Sequence, residues 1–138
     1  MAEIIFDDPY VMINTVDLSD HVRSVKINYK AEIQDKTAGG ATSRERIAGL
    51  KDWSVDIEFN QDYAAGEVDA TLFDLVGAAS FPIIIKPDGE TTGVTNPKFT
   101  GNAVLETYSP IAGSVGGLAT TTITMQGDGD MGRATSDA

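Results

Sequence analysis

Residues 53–60, Trp-Ser-Val-Asp-Ile-Glu-Phe-Asn, alternate apolar and polar without a break. Side chains alternate across a β-strand, so this stretch gives a strand with one oily and one wet face. Trp53, Val55, Ile57 and Phe59 are assigned to the core, and Asp56 and Glu58 to the polar face. Shortly afterwards the period changes. Val68, Leu72, Leu75 and Val76 recur at helical spacing, with Asp69 and Asp74 between them. The pattern predicts a helix over residues 68–77. A helix this short depends on packing of Leu72, Leu75 and Val76. Phe73 widens its apolar stripe, and Gly77 suits its C-terminal stop.

Residues 10–14 read as a first strand, and residues 16–18 as a turn or its continuation. Residues 22–30 form a second strand in which Val25, Ile27 and Tyr29 share a face. Val22 is out of phase with them, which predicts a bulge near Arg23 and Ser24. Further strands are expected over residues 83–86, 98–109 and 118–126. The first of these is continuously apolar, as expected where both faces are covered. Residues 31–43 keep no period, and Gly39-Gly40 permits a tight turn. They form either a long hairpin extension or a loop. Residues 1–9 read as an N-terminal arm, and residues 127–138, without an apolar pattern, as a C-terminal arm. The whole is expected to be a single domain over residues 1–138. It is mainly β, a sandwich or partly open barrel with one flanking short helix and a long loop after the second strand.

Composition narrows the chemistry. A chain of 138 residues buries about two thirds of its unfolded surface and needs no staple to fold. With no cysteine, disulfide scaffolds, thiol nucleophiles and zinc–thiolate sites are excluded. Ten basic residues stand against 21 acidic ones, a formal net charge of −11. Such a chain repels phosphates, so neither specific DNA binding nor docking on an anionic membrane is expected. The N-terminus has no basic segment followed by an apolar run, so no signal peptide is expected, and the chain reads as made and retained in a cytoplasm or released by lysis.

Catalytic chemistry is sparse, and no enzyme and no cofactor are expected. His21 is the one histidine, and its neighbours Ser19 and Asp20 do not make a triad, because triads assemble through the fold. It is assigned a surface or structural role. Asp128-Gly129-Asp130 is a fragment of a calcium loop without the remaining ligands, and no metal site is expected there. Gly113-Ser114-Val115-Gly116-Gly117 lacks the Lys-Ser/Thr of a phosphate loop. Asp56 and Glu58 lack the aromatic-lined cleft of a glycosidase pair and read as a solvated face or a functional acidic surface.

Residues 46–62, Arg-Ile-Ala-Gly-Leu-Lys-Asp-Trp-Ser-Val-Asp-Ile-Glu-Phe-Asn-Gln-Asp, resemble the central segment of tail tube (major tail) proteins of long-tailed, non-contractile bacteriophages. Residues 16–22 and 68–73, Asn96-Pro97-Lys98-Phe99-Thr100-Gly101 and Tyr108-Ser109-Pro110 extend the likeness, in order, across residues 13–126. The resemblance implies a β-sandwich whose copies form hexameric rings, stacked into a hollow tube through which DNA passes without specific binding. It implies a structural virion protein of the phage tail, bounded by other tail proteins at the tube ends. The long loop, residues 31–49, would bridge subunits through Ile33, Gln34, Asp35, Lys36, Thr37, Gly39, Gly40, Arg44, Glu45 and Arg46, and the two arms would do likewise. Asp56 and Glu58 would then form an acidic wall of the bore. Two other functions remain open. One is a monomeric carbohydrate-binding or adhesion sandwich, with Trp53, Tyr63 or Tyr108 as an aromatic platform. The other is a tube protein of a contractile tail or secretion machine.

Overall fold

The computed structural model describes residues 8–136. Seven strands build one antiparallel sheet: β1 (Tyr10–Ile13), β2 (Val16–Asp17), β3 (Val22–Asp35), β4 (Arg46–Asn60), β5 (Phe81–Lys86), β6 (Lys98–Tyr108) and β7 (Thr120–Ala134). Their order across the sheet is β2-β1-β5-β6-β7-β4-β3. Among the described residues one α-helix, α1 (Val68–Leu72), follows β4. The expected mainly β architecture with one short helix is present, as an open sheet and not a closed barrel.

The core lies on one face of that sheet. Val11, Ile13, Val55, Ile57, Phe59, Ile83, Ile85, Ala103, Leu105, Ile123 and Met125 are all buried. One face of a sheet buries its own side chains this completely only if the sheet curls over them. Val25 and Ile27 of β3 line a shallow apolar cleft with Ile85, Pro87 and Phe99. That cleft marks where the curled sheet stops short of closing. Val68, Leu72 and Leu75 plug the core from the helical segment.

Residues 53–60 behave as the alternation dictates, with Trp53, Val55, Ile57 and Phe59 buried and their polar neighbours partly exposed. The expected bulge is present as a register shift between Val22 and Ser24. The helix is shorter than its spacing predicts. After Leu72 the chain tightens into a 3-10 turn over Phe73–Leu75, and Val76 bridges to Leu105 of β6. Pairing with the sheet takes the backbone that a further helical turn needs, so Phe73 and Val76 stay exposed. Gly77, at φ +80°, turns the chain after that bridge. In β5 one face is covered: Phe81, Ile83 and Ile85 are buried while Pro82 is exposed and Ile84 is half-buried.

The C-terminal segment differs most from its expected form. Residues 127–134 are not an arm but the second half of β7, paired with β6 through Ala103↔Gly127, Thr100↔Gly132 and Lys98↔Ala134. One of the glycines that hid this strand is required by a neighbour, because the indole of Trp53 packs against Gly127, as it does against Gly101 of β6. Glycine within a strand marks such a close approach. Residues 1–7 of the expected N-terminal arm lie outside the described residues, as do the last two of the chain.

Candidate functional site

Three surfaces carry the features from which function can be argued. The first is the hairpin of β3 and β4. The two strands pair from Val22↔Phe59 out to Asp35↔Arg46, with a second irregularity between Ala31 and Ile33. Residues 31–35 and 46–49 therefore belong to strands, and the expected loop is a hairpin extension. Residues 46–52 are exposed on both faces, as are residues 32–35, so this half of the hairpin projects from the body. Apolar side chains ride on it: Ile33 and Ile47 are each 55% exposed and Leu50 80%.

The tip of the hairpin is built and not slack. Lys36 N–H donates to the Glu45 carbonyl, and Glu45 N–H to Thr37 Oγ1. Arg44 reaches Asp35 at 3.0 Å. Hydrogen bonds from the Thr37 hydroxyl and backbone hold the Asp35 carboxyl below its usual range, with Arg44 adding to the effect. Of the residues expected to bridge subunits, Asp35, Lys36, Thr37, Arg44, Glu45 and Arg46 meet at this tip. Ile33 and Gln34 lie below it on β3, opposite Ala48 and Ile47. Gly40, at φ +87°, takes the turn beside Gly39.

The second surface is the outer edge of β3. The strand is 14 residues long and ends the sheet. Among the described residues no strand pairs with its other side. Edges of this length are usually shortened, charged or covered. Here Tyr29 is 54% exposed, and Val25 and Ile27 are only partly buried.

The third surface is the polar face of the sheet. It is organised in straight cross-strand rows: Lys26–Asp56–Thr124, Ser24–Glu58–Thr122 and Asn28–Ser54–Gln126. Asp56 accepts hydrogen bonds from Thr124 Oγ1 at 3.0 Å and Asn28 Nδ2 at 3.3 Å. Gln126 Nε2 donates to Glu106 on β6. The face is thus a hydroxyl- and amide-rich surface with more acid than base, and Lys26 stands directly beside Asp56. The two acidic residues named from the sequence share it, although Asp56 is engaged with its neighbours and not simply displayed.

Sequence reasoning missed one constellation. His21 ends a short 3-10 turn before β3, and its Nε2 lies 2.6 Å from Glu67 Oε2 and 3.6 Å from Asp62 Oδ2. The acids lie more than forty positions along the chain from His21, and no local motif links them. Of the three aromatics named for a platform, Tyr63 is 57% exposed, with its hydroxyl donating to the Pro110 carbonyl. Trp53 is 2% exposed and its Nε1–H donates to the Gly129 carbonyl. Tyr108 is tied to Asp69. No helix among the described residues is long and apolar enough to cross a membrane.

No protein-family model matches the sequence, and no curated protein matches it. Solved structures share the fold. A chain of the virion of a native gene transfer agent particle superposes with a TM-score of 0.74 at 17% identity, over 96% of this chain and 99% of that one. A chain of the tail of an empty gene transfer agent particle, determined with C6 symmetry, gives 0.65 at 20% identity over 81% of both. A chain of the sheath–tube complex of an extracellular contractile injection system, in its extended state, gives 0.71 at 13% identity, over 96% and 92%.

Proposed function

We infer that this chain is a structural subunit of a tail tube, whose copies associate side by side into rings that stack into a hollow tube. The edge strand β3 with its projecting hairpin carries the reading. A 14-residue edge holds outward N–H and C=O groups that a neighbouring sheet can pair, each bond adding about 1 kcal/mol net. Ring closure uses such an edge in a heterologous contact and removes it from solvent. The exposed apolar residues Ile33, Ile47 and Leu50 on the hairpin suit contact with the next copy. The likeness to chains of a gene transfer agent virion, of a gene transfer agent tail and of a sheath–tube complex supports the same role, as does the C6 symmetry of that tail for a ring of six.

In this arrangement the polar face, with Asp56 and Glu58, lines the bore. A hydrophilic wall with an excess of acid does not hold phosphates, so DNA passes without binding. The protein would then reside in a virion or tail-like particle. The fold shared with a chain of a contractile injection system favours a second reading, a tube enclosed by a sheath.

Shortening the hairpin tests the assignment. Residues 33–48 are replaced by an Asn-Gly turn, which suits a tight hairpin, and both proteins are centrifuged at high concentration. The native chain should pellet as assemblies while the shortened chain stays soluble with an unchanged circular dichroism spectrum. Equal pelleting of the two would remove the hairpin from the interface.

A further inference from the structure

The chain's one histidine completes a cluster outside the hairpin and the polar face of the sheet. His21 comes from the turn ahead of β3, Asp62 from the chain leaving β4, and Glu67 from the residue preceding α1. One donor atom from each lies within 4.8 Å of the other two. The side chains are 19%, 34% and 39% exposed respectively, so water screens them only in part. Asp62 is already oriented, because its Oδ1 accepts the Ala64 N–H at 2.9 Å and leaves Oδ2 toward the imidazole. Two carboxylates this close repel one another. Among the described residues the ion pairs of Asp62 and Glu67 both come from His21, which supplies at most one positive charge against two negative ones.

We propose that His21, Asp62 and Glu67 bind one divalent transition-metal ion of the Zn²⁺ class, which fastens the turn before β3 to the start of α1. A divalent ion cancels both carboxylates and leaves the imidazole neutral, the form in which it is a ligand. One imidazole nitrogen with two carboxylate oxygens suits a borderline ion, whereas Ca²⁺ and Mg²⁺ prefer oxygen shells. Tetrahedral donors around zinc stand about 3.4 Å apart. The 3.6 Å between His21 and Asp62 meets this spacing. The hydrogen-bonded Glu67, 2.6 Å from His21, has to withdraw by about 0.8 Å to reach it, and its solvent-facing side chain is free to turn. Water fills the fourth position.

Chelator-stripped protein titrated with ZnCl₂ by calorimetry tests the site, beside the His21→Gln, Asp62→Asn and Glu67→Gln variants. One Zn²⁺ should bind per native chain, about tenfold or more weakly in each variant, and Zn²⁺ should raise the melting temperature of the native chain alone. Glu67→Gln keeps a hydrogen-bonding partner for His21, so that variant retains the fold and isolates the loss of charge. No binding to the native chain overturns the proposal. Undiminished binding to His21→Gln does so too, by assigning the ion to surface carboxylates.

Discussion

The indole of Trp53 packs so closely on Gly127 that a Cβ placed on that glycine would sit 2.3 Å from Cε2. No real Cβ tolerates such an approach. The contact locks β4 to the far half of β7, and Trp53 Nε1–H completes it by donating to the Gly129 carbonyl at 3.0 Å. Gly127→Ala should therefore cost about 2–3 kcal/mol through overpacking. That lowers the melting temperature by roughly 10 °C for a domain of this size, as read by thermal circular dichroism. Gly39→Ala, with nothing within 4 Å of the new carbon, should change stability by less than about 0.5 kcal/mol. Equal melting of the two variants would mean that Trp53 does not rest on Gly127.

Tyr108 gives the fold an alkaline signature. Burial, and then its hydrogen bond to Asp69 at 2.6 Å, push its phenol up to about 12. In the unfolded chain it ionises near ~10. Its contribution is whole below that value. As the pH rises from about 10 to 12 the unfolded chain releases a proton that the folded one keeps, so stability falls across this window. The absorbance titration of phenolate should show a step near 12 in the native protein that Tyr108→Phe lacks. A step of equal size in both would contradict the assignment.

Charge reversal on the polar face should act at two levels. Asp56→Lys loses the Thr124 and Asn28 hydrogen bonds and sets two lysines side by side across β3 and β4. Together with Glu58→Lys this should cost about 2 kcal/mol in denaturant unfolding. Assemblies of the double variant should retain short duplex DNA at low salt and release it as salt rises, while native assemblies retain none. Equal release from both would exclude this face from the bore.

The sequence revealed what local periodicity controls. The alternation over residues 53–60 placed Trp53, Val55, Ile57 and Phe59 in the core, and the phase break at Val22 placed a bulge. Leu72 and Leu75 were also found in the core by their helical spacing. What stayed hidden depends on distant partners. The strand over residues 127–134 has the composition of a tail in part because Gly127 makes room for Trp53, a residue on another strand. The hairpin extension lacks an apolar period because neither of its faces is buried within one copy. The helix stops early because Val76 is captured by Leu105. His21 meets Asp62 and Glu67 only once the turn before β3 and the start of α1 are brought together. The assembly role proposed for the hairpin tip comes from the family resemblance and not from any pattern in residues 31–49.

Self-assembly is the property on which the tube reading stands. Negative-stain electron microscopy of the concentrated native protein, paired with sedimentation velocity on the same sample, measures it directly. The expected result is rings or hollow tubes with a central stain-filled channel, and a sedimenting population far larger than one chain. A single monomeric species at every concentration, with no rings in the images, would contradict it.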